Sequence, residues 1–109
     1  MPTTRVLPIK YLAIGTFPQQ LTPEQFNMYM PFQVPATLKL YLEGKMDQFW
    51  LRQDGNGVVF VMTTESADEA ASLLRALPLG QADLLRFELI AIGPLTPFAA
   101  LIKPHFSAA

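Results

Sequence analysis

At 109 residues, with half of them hydrophobic, 16% charged and a net charge of −1, the chain is sized for one domain but carries more apolar surface than a small sandwich hides, so an oligomer is expected. The eight lysines and arginines are spread singly, leaving no basic stripe for a phosphate backbone, and nucleic acid is excluded as an expected partner. The lack of cysteine excludes disulfides, thiolate metal sites and cysteine nucleophiles and fits a cytoplasmic setting, while a single histidine, His105, gives a catalytic triad or a multi-histidine metal site no second supporting residue.

Residues 1–8 contain no uninterrupted apolar run, so no signal peptide is expected. Residues 9–17 are β-rich and apolar on both faces, as in a central strand covered on each side. Pro18 ends that strand. Thr22-Pro23-Glu24-Gln25 then supplies a capping residue, a proline at the first helical position and a glutamine that reaches back to the cap. Pro31 and Pro35 each lack an amide donor and crowd the preceding turn, which predicts two helical pieces with a break over 31–35 and a stop at Gly44. Phe26, Tyr29, Met30, Phe32 and Val34 cluster around the break, and Leu38, Tyr41 and Leu42 follow at helical spacing. They read as core, or as the wall of a gap over the sheet in which a small apolar ligand meets the hydroxyl of Tyr29 or Tyr41.

Residues 45–62 read as a β-hairpin around the turn Gln53-Asp54-Gly55-Asn56-Gly57. Alternation puts Met46, Gln48, Trp50 and Arg52 on one face and Asp47, Phe49 and Leu51 on the other. The charged first arm suits an edge strand and Val58 to Met62 an inner one. Ser66 and Glu69 form a capping box for a second helix whose buried stripe is Ala67, Ala70, Ala71, Leu74 and Leu77, closed by Pro78 and Gly80. Residues 84–92 make the last strand, with Arg86, Glu88, Ile90 and Ile92 on one face. The uncharged run 89–102 is short and interrupted by Pro94 and Pro97, so no membrane span is expected. The tail, about 94–109, offers Thr96 and Pro97 as the start of an apolar helix over 98–102 that should dock at a subunit boundary and serve oligomerisation.

A β-α-β-β-α-β order with right-handed crossovers gives an α+β fold, a ferredoxin-like sandwich with a four-stranded antiparallel sheet of order 4-1-3-2 and both helices on one face. The other face keeps apolar residues, so a second copy is expected to cover it. Gly44 with Phe49-Trp50-Leu51-Arg52, Leu77-Pro78-Leu79 and the closing Gly93-Pro94-Leu95 resemble the dimeric α+β barrel superfamily, and within it the muconolactone isomerase-like group, from Tyr11 to about Ile102. That resemblance implies a homodimer or a multiple of dimers, no cofactor, and isomerase or lyase chemistry on a small apolar acid or lactone. It assigns no proton-shuttling residue to a numbered position. The histidine and aspartate pair of the YCII-related branch has no histidine inside the domain to match it.

In an enzyme of this kind Arg52 would hold a substrate carboxylate, Trp50 would form a flat apolar wall, and Glu88 or Tyr29 would exchange the proton. The same residues also suit a solvated edge, a packed interface and an interface ion pair. Strand order keeps Arg52 apart from Glu88 within one chain, so the two could meet only across a dimer joining the second and fourth strands. The competing expectation is a non-catalytic oligomeric binding or accessory module.

Overall fold

The computed structural model describes residues 9–94; the expected tail helix with its docking role, and His105, lie outside them. The elements are β1 (Ile9–Thr16), α1 (Pro23–Leu42), β2 (Met46–Leu51), β3 (Gly57–Thr64), α2 (Ala67–Ala76), α3 (Pro78–Gln81) and β4 (Arg86–Ile92). The strands form one antiparallel sheet in the order β2-β3-β1-β4, which is 4-1-3-2 counted from the other edge. This is an α+β fold. No helix among the described residues is long and apolar enough to cross a membrane.

The pleat of β1 separates two faces. Tyr11 and Ala13 point toward the helices and join Phe60 and Met62 of β3 and Met46 of β2 in a core closed by Leu40 of α1 and by Ala70, Leu74 and Leu77. Ala70 is fully buried, so the small side chain at this position sets how closely α2 approaches the sheet. Phe87 packs against Phe60 with ring centroids 5.5 Å apart. It also occupies the space over Gly15, where an added Cβ would lie 2.7 Å from its ring. The opposite face, bearing Leu12, Ile14, Val59, Val61, Trp50, Ile90 and Ile92, has no helix over it among the described residues.

α1 is one continuous helix of 20 residues, in place of the two pieces expected. Pro31 and Pro35 are four residues apart and both exposed, so the carbonyls they leave without an amide partner fall on the outer side, where water can solvate them. The helix is anchored at its start by the Thr22–Gln25 capping box, with bonds of 3.0 and 3.1 Å. At α2, Ser66 Oγ accepts from the Glu69 amide at 3.0 Å, while Glu69 Oε1 accepts from the amide of Glu65, one residue before the cap. The short helix α3, which follows directly, is an element that the sequence reading lacks; Pro78 starts it at the first helical position.

The alternation expected along β2 fails at one point. Met46 pairs with Met62 but Gln48 with Val61, so Asp47 is an extra residue in a β-bulge. The bulge sends Met46 to the helix side with Phe49 and Leu51, and leaves Gln48 and Trp50 on the open face. Asp47 there accepts from Lys10 Nζ at 2.7 Å and from the hydroxyl of Thr63. Partial burial pushes its carboxyl up, but the bonds from Lys10 and Thr63 outweigh that and hold it below the ordinary 3.8. A depressed carboxyl stabilises the fold above its unfolded value and loses that contribution as pH falls through the folded value. Asp47→Asn is therefore expected to lower stability at pH 7, and the gap to wild type should narrow in urea melts as pH falls below the ordinary carboxylate range. A gap that persists at acid pH would mean that the ion pair is not its source.

Candidate functional site

α1 touches the rest of the molecule unevenly. Gln33 and Leu40 are its two buried residues, whereas Phe26, Val34 and Leu38 on the same side stay substantially exposed. The helix is thus held at Gln33 and Leu40, and its flank bearing Phe26, Val34 and Leu38 stands off the sheet. Beneath it lies a cleft of about 510 Å³. Phe26, Met30, Val34 and Leu38 form its helical wall, and Phe49, Leu51, Val58 and Phe60 of the hairpin form its floor. Phe17, Leu21, Leu79 and Leu85 complete its apolar lining. Its polar lining is Gln20, Gln33 and Thr37; none of the described lining residues is ionisable.

Gln33 has a structural reason to be buried. Leu77, the residue capping α3, gives that helix no side-chain cap; Gln33 Oε1 supplies one from α1 by accepting from the Leu79 amide at 3.0 Å. Thr37 Oγ1 donates back to the Gln33 carbonyl at 2.9 Å, which engages its hydroxyl proton. Gln33 is not among the residues the sequence points to, although positions 26, 30, 33, 37 and 40 recur at helical spacing on one face. A lone amide in that register is the available signal.

The residues expected to form a site fall on two sides of the sheet. Trp50 and Arg52 share a face, as their spacing implied. Trp50 is 62% exposed, and its indole N–H donates to Gln48 Oε1 at 3.2 Å. The Arg52 guanidinium donates to Thr16 Oγ1 at 2.7 Å and to the Gly15 carbonyl at 3.3 Å and pairs with Asp54, leaving its side chain 23% exposed. The bond from the Asn56 amide, with the Arg52 contact added, holds the Asp54 carboxyl below its ordinary value. Glu88 lies on this same open face, at the far end of a register row that runs Trp50, Val59, Ile14, Glu88. Three strand spacings separate its ends by about 14 Å. Tyr29 belongs to α1 and is outside the cleft lining; Tyr41 packs edge-on against Phe49 at 5.8 Å. Arg52→Ala is accordingly expected to lower stability by about 1 kcal/mol by freeing the hairpin turn from β1, read as a shift in urea midpoint. An unchanged midpoint would show that these bonds contribute nothing.

A smaller hollow of about 250 Å³ near α2 and β4 is lined by Arg75 and Arg86 among mostly apolar residues. Arg86 is already engaged there by both oxygens of Asp83, at 3.0 and 3.1 Å. No three His, Cys, Asp or Glu side chains among the described residues are grouped to hold a metal ion. Comparison with known proteins gives no matching family and no matching curated relative.

Proposed function

We propose that this protein is a ferredoxin-like βαββαβ module that pairs through its open sheet face as a dimeric α+β barrel and holds a small apolar molecule in the cleft beneath α1. The observation that carries this reading is the cleft itself, whose volume lies in the range of small-molecule sites and whose walls are apolar with a few polar groups. The apolar residues of the open face support pairing with a second copy. The cysteine-free composition supports a cytoplasmic setting.

Binding without catalysis has more support than the muconolactone isomerase-like activity. Proton transfer needs a titratable group within reach of the substrate, and the described lining offers none. Arg52, the expected carboxylate clamp, commits its donors to Thr16, Gly15 and Asp54. Trp50 and Glu88 sit on the other side of the sheet from the cleft.

The test is titration of the full chain with the neutral fluorophore N-phenyl-1-naphthylamine. Val34→Trp, which fills the cleft from a partly exposed helical position, is expected to weaken binding by roughly tenfold or more. Trp50→Phe, on the other side of the sheet, should leave the affinity unchanged. Should Val34→Trp bind as wild type does, or Trp50→Phe lose binding, the ligand is not in this cleft.

A further inference from the structure

Resting on that reading of the cleft, we infer that its occupant is a neutral apolar molecule bearing an acceptor oxygen, a ketone, ester, amide or ether, which the Gln33 side-chain amide receives. Gln33 is 6% exposed. The atom facing the Leu79 amide must be its oxygen, because a backbone N–H only donates. The opposite atom, Nε2, therefore carries the two donor protons, and it has no hydrogen-bond partner among the described residues. No side-chain nitrogen or oxygen among those residues is sealed from solvent without a partner. Nε2 thus keeps contact with open space, and the residue that carries it lines the cleft.

The donor is fixed in direction. Its oxygen is held by α3 and its backbone carbonyl by Thr37, so the amide cannot flip to offer an acceptor without stranding the Leu79 N–H. A ligand filling the apolar walls displaces whatever water serves Nε2, and unless it brings an acceptor it leaves two buried N–H groups unmatched. A carboxylate would bring the acceptor but also a charge, and no cationic side chain among the described lining residues stands ready to compensate it. The discrimination expected is thus for a neutral acceptor over both a hydrocarbon and an anion of the same shape.

Three probes of one outline test this on the full chain: 2-acetylnaphthalene, 2-isopropylnaphthalene and 2-naphthoate. In wild type the carbonyl stretch of bound 2-acetylnaphthalene should lie at its alcohol-solvent position, not its alkane position, and 2-naphthoate should bind more weakly than the ketone. In Gln33→Met the ketone should lose roughly five- to tenfold in affinity relative to the hydrocarbon, the size of one hydrogen bond, and the carbonyl stretch should move to the alkane position. Ketone and hydrocarbon both bound, with an alkane-like stretch in wild type, would overturn the acceptor inference and leave the cleft reading standing. Binding of neither would overturn the cleft reading and this inference with it. Because the stretch is read on wild type, it decides between these outcomes even if Gln33→Met fails to fold.

Discussion

Leu12→Asp should convert the proposed dimer into a folded monomer, raising the dissociation constant by about a hundredfold or more. Leu12 sits at the centre of the open sheet face, paired with Val61 on one side and Ile90 on the other, with Ile14 and Val59 in the next row. In a symmetric pairing each copy meets its own image, so one substitution places two carboxylates in a water-poor contact, where the neighbouring Lys10 is already paired with Asp47. Leaving a buried charge uncompensated costs about 3 kcal/mol or more, which is a hundredfold or more in affinity. The isolated subunit bears little of this, since Leu12 lies on the side opposite the core of Tyr11, Ala13 and Met62. Sedimentation velocity at micromolar concentration, with circular dichroism to confirm the fold, reads both outcomes. A variant that keeps its dimeric mass, or a wild type that is already monomeric, would dispose of the open face as the interface.

Gly57→Ala is expected to destabilise the fold itself by about 3 kcal/mol or more. Gly57 pairs with Thr16 where β3 meets β1, and a Cβ there would overlap the Gly15 carbonyl oxygen and stand 3.1 Å from the Cα of Thr16. A side chain in the way could rotate aside, but these are backbone atoms of the central strand. Relief requires opening the end of the β1–β3 ladder. That shift also disturbs the Gly57 carbonyl, which accepts from the Arg52 amide at 3.0 Å, and the neighbouring bond from Phe17 N to the Asn56 carbonyl at 2.8 Å. Gly93→Ala is the control, since nothing lies within 4 Å of its added Cβ. Urea denaturation should place Gly93→Ala near wild type and Gly57→Ala far below it; equal midpoints would show that the strand ends adjust at no cost.

The sheet was legible in the sequence because each strand is short, β-rich and bounded by turn residues, and because the number of elements leaves few right-handed arrangements. The starts of both long helices were legible for a related reason, since Thr22 and Ser66 act on amides three residues away. What was not legible depends on contacts distant in sequence. Proline chemistry at positions 31 and 35 argues for a break, and only the placement of both rings on the exposed side of α1 lets the helix continue. The bulge at Asp47 is invisible to a strict period of two, because the extra residue is stabilised by Lys10 and Thr63 on two other strands. Gln33 reads as one polar residue in an apolar helix until α3, 46 positions away, brings it the Leu79 amide. The expected site around Trp50, Arg52 and Tyr29 assumed a gap over the side of the sheet that Trp50 faces. The helix runs over the other side, so the cleft is walled by Phe26, Met30, Val34 and Leu38 instead.

The bulge at Asp47 also bears on what the exposed edge of the sheet offers to another molecule. β2 is an edge of the sheet and ends in Phe49, Trp50 and Leu51, all exposed. An outward row of amides and carbonyls next to such bulky side chains is a template on which a strand from another molecule could add and extend into a fibril. The extra residue limits the regular ladder to Gln48–Leu51, too short and too twisted a segment to seed a long register. Immediately before it lie the carboxylate of Asp47 and the ammonium of Lys10, held 2.7 Å apart, so a strand sliding along this edge would have to strip both of water. One misaligned residue thus shortens the stretch of apolar edge on which another strand could add.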